Sequence, residues 1–255
     1  MLSMKHVEEV QLSLDSRFKF RCHKGIECFT KCCNNIDIML TPYDILRLKN
    51  RLGISSEEFL TGHAYIEIDE KTSHPFVFLK MNEDAEKKCP FVTSEGCSIY
   101  SDRPANCRYY PVGQASLKKM DQETNAPVTE EFYFFVKEPH CLGFNEDAEW
   151  TIKSWRDDQG VDVYDDINRG WKDILFRRNL PGHSLDDKKQ KAFYMACYDI
   201  DRFRRFVFES GFIEKFDIDE KRLEKIKNDE TELMKLGFDY TKYILMIEET
   251  LKLKR

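Results

Sequence analysis

Cysteine is distributed very unevenly along this chain of 255 residues: eight of the nine cysteines lie between positions 22 and 141. The ninth, Cys197, stands alone in the second half. In a chain without an export signal, such a cluster indicates metal ligands or redox groups, because a reducing compartment disfavours structural disulfides. The first half of the chain must therefore bring distant loops together, a requirement that the second half does not share.

The N-terminal sequence gives no indication of export. Glu8, Glu9 and Asp15 interrupt the region in which a signal peptide would need an apolar stretch. No segment approaches the ~18 apolar residues of a membrane-spanning helix. We therefore expect a soluble cytoplasmic protein without a membrane partner. Export by another route would make disulfides the main competing interpretation.

The charge balance argues against nucleic acid as a partner. The net charge is −6, and it divides equally on the two sides of residue 144. Neither part has the excess of Lys and Arg that binding to a phosphate backbone requires. Hydrophobic residues make up 41% of the chain, which is enough for a real core.

The eight clustered cysteines fall into two groups and one outlier. The spacing of the first group is C-x5-C-x3-C-C, and that of the second is C-x7-C-x9-C. The candidate metal ligands are Cys22, Cys28, Cys32, Cys33, Cys89, Cys97, Cys107 and Cys141. Thiolates favour zinc, copper(I) or iron–sulfur clusters, and each centre needs about four ligands, so eight thiols are sufficient for two centres. Adjacent Cys32 and Cys33 are candidates to serve two neighbouring sites, or one site plus a free thiol.

The surroundings of these cysteines favour ligation over simple burial. Asn34 and Asn35 follow the first group, and Pro90 follows Cys89, so the cysteines lie in polar loops where burial is limited. By contrast, Cys197 lies in the apolar stretch AFYMACYDI, where core packing is the better interpretation. His23 and His140 each neighbour a cysteine, and we interpret them as surface groups or as groups that support the ligands.

The sequence predicts an α+β fold: an irregular cysteine-rich metal-binding region over residues 1–146 and a mainly helical region over 147–255, which form separate units or pack as one. Helix starts are predicted at Thr41 and Ser55, with Gly53 ending the first helix. Strands are predicted at 64–68, 75–81 and 130–136. Further helices are predicted from about 150, around 167–175, over 186–209 and over 241–253, with a loop at 179–184.

The cysteine pattern resembles a known family, the CxxCxxCC proteins, which are described as zinc- or iron-chelating and which include the flagellin lysine-N-methylases. The resemblance rests on the first cysteine group, on Cys89-Pro90-Phe91 and on the block CSIYSDRPANCRYYP between positions 97 and 111. It covers roughly residues 20–145. The gaps of five and three in the first group depart from the two and two of the family pattern, so the loop geometry must differ.

The resemblance implies a bound metal, either zinc or an iron–sulfur cluster, and leaves the activity open. One hypothesis is redox chemistry or protein modification, including methyl transfer to a protein substrate. The alternative is a non-enzymatic module that holds metal for structure or delivery and binds a protein partner; a thiol redox sensor is a third. S-adenosylmethionine is compatible with the first hypothesis, but no glycine-rich nucleotide loop or CxxxCxxC pattern supports it.

Within the block around Cys107, other residue types suggest supporting roles. Arg103 and Arg108 are candidates to pair with carboxylates or bound sulfurs. Tyr100, Tyr109 and Tyr110 are candidates to shield the site from water. For each tyrosine, core packing is the simpler interpretation.

Overall fold

The computed structural model describes residues 6–8, 10–120, 127–176 and 185–254. The α+β prediction is confirmed, and helices are concentrated in the second half of the chain. Within these residues, no helix is both long enough and apolar enough to cross a membrane.

The secondary-structure elements are as follows. The strands are β1 (Arg17–Lys19), β2 (Met39–Leu40), β3 (Ala64–Ile68), β4 (Pro75–Leu79), β5 (Val92–Thr93), β6 (Gly96–Cys97), β7 (Val112–Met120), β8 (Pro127–Phe135) and β9 (Glu149–Thr151). The helices are α1 (Pro42–Leu52), α2 (Ser56–His63), α3 (Ala105–Tyr109), α4 (Ile152–Gln159), α5 (Val161–Ile167), α6 (Arg169–Phe176), α7 (Asp187–Cys197), α8 (Ile200–Glu209), α9 (Phe212–Lys215), α10 (Glu220–Asn228) and α11 (Glu230–Ile244). Short 3₁₀ turns cover Lys31–Cys33, Tyr100–Asp102 and Gly143–Asn145.

The residues form two compact units, each assembled from separate stretches of chain. The first unit combines residues from 1–37, 81–100 and 105–162. The second combines residues from 38–80, 101–104 and 163–255. All eight clustered cysteines belong to the first unit and Cys197 belongs to the second. The sequence-based boundary between residues 146 and 147 stays a prediction.

An aromatic core holds the first unit together. The longest strands of this unit, β7 and β8, form an antiparallel hairpin, and β1 pairs with β9. The core comprises Phe18, Phe20, Tyr109, Val112, Tyr133, Phe135, Ile152, Trp155 and Val161. Because Phe20 lies two residues before Cys22 and Tyr109 two residues after Cys107, this core fixes the start of one cysteine loop and the end of another.

The second unit contains a three-stranded sheet in the order β2-β4-β3, together with most of the helices. Its first two helices start where the sequence predicts. Thr41 and Ser55 each form a capping box with the residue three positions later, which satisfies backbone N–H groups of the first turn. Gly53 ends α1 in the left-handed conformation, as predicted. The strands predicted at 64–68, 75–81 and 130–136 are confirmed as β3, β4 and the second half of β8.

Three helix predictions need correction. Trp150 lies in β9, not in a helix, because it pairs with Phe18 across the two strands, and α4 begins only at Ile152. The single helix predicted over 186–209 is two helices, and Asp199 caps the second by accepting from the Arg202 amide. The closing helix predicted over 241–253 is wrong, since α11 ends at Ile244. The loop predicted at 179–184 lies outside the described residues.

Candidate metal centre

The loop over residues 22–33 is wound by a series of main-chain turns. The Lys31 amide donates to the Cys28 carbonyl at 3.0 Å, and the Cys33 amide donates to the Thr30 carbonyl at 2.9 Å. Thr30 takes a left-handed conformation, with φ of 66°, just before the 3₁₀ turn that carries Cys32 and Cys33. Such a conformation is uncommon for a residue with a side chain and is found preferentially at functional sites.

The segment after Cys33 lies beside the segment that leads into Cys89. The Cys89 amide donates to the Cys33 carbonyl at 2.8 Å, and the Asn35 amide donates to the Lys87 carbonyl at 2.9 Å. Asn34 and Lys88 form an isolated antiparallel bridge between these two hydrogen bonds. Two cysteines that are 56 positions apart in sequence are thereby held side by side.

Cys89 and Cys97 lie at the two ends of a tight hairpin. The Val92 amide donates to the Cys89 carbonyl at 3.1 Å, and Val92 stands opposite Cys97 in the pairing of β5 with β6. Gly96 makes the turn possible with φ of 109°, which a residue with a side chain rarely adopts. Burial raises the pKa of the Cys89 thiol, and the backbone N–H groups of Phe91 and Val92 offset part of that effect.

Cys28 and Cys141 are brought together by a direct contact to sulfur. The Leu142 amide donates to Cys28 Sγ at 3.2 Å, although 114 positions separate the two residues. Amide hydrogen bonds to sulfur offset the charge of a thiolate, as supporting groups do around metal ligands. Cys28 is buried, whereas Cys141 is half-buried against the aromatic core.

Cys107 is positioned by α3, which is tied to α4. The Trp155 indole donates to the Tyr109 carbonyl at 3.1 Å, and Arg108 Nη1 donates to the Gln159 carbonyl at 2.7 Å. Both donors are buried, so this short helix has a fixed place in the first unit.

Burial and neighbouring sulfurs shift the pKa values of several of these thiols. The Cys22 side chain keeps solvent contact, but the atoms packed around its sulfur raise its pKa to about 11, and repulsion from Cys32, Cys28 and Cys141 adds to this. The interaction between the Cys32 and Cys33 side chains lowers the pKa of Cys32 and raises that of Cys33. Burial and repulsion from Cys32, Cys107 and Cys89 raise the Cys33 pKa further.

The structure thus brings Cys33 beside Cys89, Cys97 into the hairpin that follows Cys89, and Cys28 beside the segment that carries Cys141. As the side chains stand, no three His, Cys, Asp or Glu residues in the described part of the chain are arranged to hold one metal ion. Convergence of the sulfurs on metal therefore stays a prediction. Cys197 is buried in the second unit, 3.5 Å from the Thr241 hydroxyl, which confirms its interpretation as a core residue.

The two histidines next to cysteines have other surroundings. His23 Nε2 lies 3.2 Å from Glu146, and its Nδ1 accepts from the Gly25 amide at 3.2 Å, so both ring nitrogens are engaged. His140 is exposed. These placements agree with their interpretation as surface or supporting groups.

The residues around Cys107 divide by environment. Tyr109 is part of the aromatic core, and Tyr100 is 61% exposed. Tyr110 is half-buried, with its hydroxyl against the Cys141 sulfur but without a hydrogen bond of regular geometry. Burial, and then that sulfur, hold the pKa of Tyr110 well above its ordinary value. Arg103 is buried but belongs to the second unit.

Comparison with known proteins shows that this part of the chain is similar to a family. Residues 21–141 match the family model CxxCxxCC, whose description reads "Putative zinc- or iron-chelating domain". Because of this similarity, residues 21–141 are called the CxxCxxCC domain. The match begins one residue before Cys22 and ends at Cys141, so the CxxCxxCC domain encloses all eight candidate ligands. No curated protein and no solved structure matches the chain.

The donor set of the CxxCxxCC domain fits the metals that the family description gives. Thiolates bind zinc with four ligands and hold iron–sulfur clusters with four cysteines, and both kinds of centre accept N–H donors at sulfur. The Leu142 amide on Cys28 Sγ is a donor of this kind. The family match supports metal binding and does not decide between zinc and iron.

Proposed function

We propose that the CxxCxxCC domain holds zinc or an iron–sulfur cluster through its eight cysteine thiolates, and that this metal centre is the functional site of the protein. The observation that carries the proposal is the pairing of cysteines across long sequence distances, above all the Leu142 amide on Cys28 Sγ. Of the eight cysteines only Cys28 is buried, so core packing alone gives little reason for these distant segments to meet, whereas shared ligation of metal does.

Elemental analysis and a visible absorption spectrum of the full chain, purified without oxygen, test this proposal. Stoichiometric zinc with a colourless protein, or iron and sulfide with a brown protein, supports it. A protein that contains neither metal, and that takes up neither added zinc nor added iron and sulfide, overturns it.

A second candidate function is redox chemistry or protein modification, including methyl transfer. It is favoured by the number of thiols, which exceeds the four that one structural zinc needs, and by the Tyr110 hydroxyl beside Cys141. An iron–sulfur cluster supplies reversible one-electron transfer in such a protein. In that setting Tyr110 and the aromatic core behind it would keep water from one side of the centre.

Reduction and ligand binding separate this candidate from a non-enzymatic, partner-binding module. The iron-loaded protein is titrated with dithionite, and S-adenosylmethionine binding is measured by calorimetry. A reducible cluster supports the redox function, and S-adenosylmethionine binding supports methyl transfer. Absence of both, together with stoichiometric zinc in the native protein, favours the non-enzymatic module.

A further inference from the structure

Cys33 and Cys89 are direct neighbours across two segments of the first unit. Asn34 and Lys88 form an isolated antiparallel bridge, and main-chain hydrogen bonds flank this bridge on both sides. On one side the Cys89 amide donates to the Cys33 carbonyl at 2.8 Å. Cys33 and Cys89 are therefore the next opposing pair in the same antiparallel register, in which opposing Cα atoms lie about 4.5–5.5 Å apart.

This spacing suits a disulfide, whereas the spacing of adjacent cysteines does not. A disulfide usually joins Cα atoms that are about 4.4–6.8 Å apart. The Cα atoms of consecutive residues are only about 3.8 Å apart across a trans peptide bond, so a disulfide between Cys32 and Cys33 would strain the main chain. The antiparallel register offers Cys33 an unstrained partner in Cys89.

Two other cysteines from the same segments are placed differently. Cys97 stands opposite Val92 in the pairing of β5 with β6, and Cys28 is buried. Cys33 and Cys89 are both free thiols and both partly exposed, so a small oxidant can reach them. Position and access together favour a bond between Cys33 and Cys89.

We infer that Cys33 and Cys89 are a redox-sensitive pair that closes to a disulfide under oxidation and thereby releases metal from this site. The disulfide depends on the main-chain register alone. Its effect on metal rests on the proposed function, because each cysteine ligand must be a thiolate to bind metal. The pair thus gives the proposed site a reversible off state.

A peroxide serves as the two-electron oxidant for this step. One thiolate attacks a peroxide oxygen, the O–O bond breaks, and a sulfenic acid and hydroxide form. The second thiolate attacks the sulfenic sulfur and displaces a second hydroxide, which leaves the S–S bond. The two thiol protons convert both hydroxide ions to water, so the two thiols lose two electrons and hydrogen peroxide gains them. Starting from zinc-bound thiolates, the same step releases Zn²⁺ and two hydroxide ions.

Peptide mapping of the full chain, loaded with zinc and treated with hydrogen peroxide, tests the pairing. The remaining thiols are alkylated, and trypsin then places Cys33 in peptide 32–47 and Cys89 in peptide 89–108. Mass spectrometry without reduction should find these peptides joined through Cys33 and Cys89, and a phosphine reductant should separate them. The inference is overturned if Cys33 is bonded to any other cysteine, Cys32 included, or if Cys33 and Cys89 both stay reduced.

Three serine variants and a urea control show whether the register makes the bond. Cys33→Ser and Cys89→Ser should lose the cross-linked peptide, whereas Cys97→Ser, in the hairpin that follows Cys89, should retain it. In urea the wild-type chain should lose its preference for this pair over other pairings, because the register is gone. A cross-link equally abundant in folded and urea-treated protein would show that chance encounter, and not position, makes the bond.

Zinc release, followed with a colorimetric indicator, tests the effect on metal. The released zinc should rise in step with the cross-linked fraction, and reduction followed by added zinc should restore the zinc content. A chain that forms the cross-link while it keeps all its zinc overturns the switch and leaves the proposed metal binding intact. A chain that binds neither zinc nor iron overturns the proposed function, whereas the peptide map of the same chain still decides the disulfide.

Discussion

At the scale of single residues, Gly143 shows how tightly the Cys141 loop is packed. A Cβ atom at this position would lie 2.6 Å from Cε2 of Phe20, closer than carbon atoms approach one another. The Phe20 ring cannot move aside freely, because it packs edge-on against Tyr110, Phe144 and Trp155. Glycine is therefore required two residues after Cys141 by close approach and not by backbone conformation.

Gly143→Ala should destabilise the first unit by about 1–3 kcal/mol, the usual effect of an extra group in a filled core. It should also weaken metal retention, because it displaces the loop that carries Cys141 and the Leu142 amide. Urea titration and zinc loss to a chelator measure the two effects. The matched control is Gly62→Ala, since nothing lies within 4 Å of its added Cβ in α2. Equal behaviour of the two variants would contradict the prediction.

Asp201 links electrostatics to stability in the second unit. Burial favours its neutral form, but the hydrogen bond from the Ser56 amide at 2.7 Å and the charge of Lys49 outweigh burial and lower its pKa. Because the folded pKa is lowered, the stabilisation is complete above the unfolded value of about 3.9. It is lost as the pH falls through the folded pKa.

Asp201→Asn should lower the free energy of unfolding by about 2 kcal/mol at neutral pH, the typical contribution of hydrogen bonds to a charged group. Denaturant titrations at several pH values measure this difference. The wild type and the variant should begin to converge as the pH falls below ~3.9, and converge fully only below the lowered pKa of folded Asp201. A difference that is unchanged by acid would show that the carboxylate charge is not responsible.

At the scale of elements, the sequence predicts helix starts well and helix continuations poorly. Thr41 and Ser55 act through residues three positions away, so their capping boxes are visible in the sequence. The break between α7 and α8 depends on Asp199, which also accepts from Ser56 Oγ at 2.6 Å in a distant part of the chain. Trp150 similarly becomes a strand residue only because Phe18 is available to pair with it. Both incorrect helix predictions involve partners that are distant in sequence, which local periodicity cannot reveal.

Thr41→Ala tests the cap of α1. The Thr41 hydroxyl accepts from the Asp44 amide at 3.2 Å and from Asn168 Nδ2 at 3.0 Å, and both donors are buried. Its removal should destabilise the protein by about 1–2 kcal/mol. Thr61→Ala, at an exposed position inside α2, should be neutral or slightly stabilising because alanine favours helix. Thermal unfolding of the two variants provides the comparison, and equal losses would refute the capping role.

At the scale of the whole molecule, the eight candidate ligands could be chosen from the sequence, but their neighbours could not. Clustering in polar loops separates them from Cys197, whose apolar surroundings predict its burial. Which cysteine lies beside which depends on long-range contacts such as those of Cys33 with Cys89 and of Leu142 with Cys28. Spacing cannot encode these contacts, because the chain leaves the first unit and returns to it between them.

Removal of metal should loosen the first unit and leave the second intact. The cysteine segments have short strands and long loops, so ligation should supply much of their stability. Limited proteolysis with and without a strong chelator, followed by mass spectrometry, should show new cuts in 21–37 and 81–100. The helices from α6 onward should keep their protection, and added zinc should restore the original pattern. Identical digestion with and without chelator would disprove the coupling.

The pairing of β1 with β9 has a consequence for how the protein is made. Arg17 finds Thr151 only after about 130 further residues have left the ribosome, a delay of the order of 10 seconds at ordinary rates of synthesis. Through that interval the early cysteines are carried on a nascent chain that lacks Cys141 and the closing strand. Under the proposed metal binding, these thiols must stay reduced until translation has passed residue 142, when Cys141 and the Leu142 amide have been made.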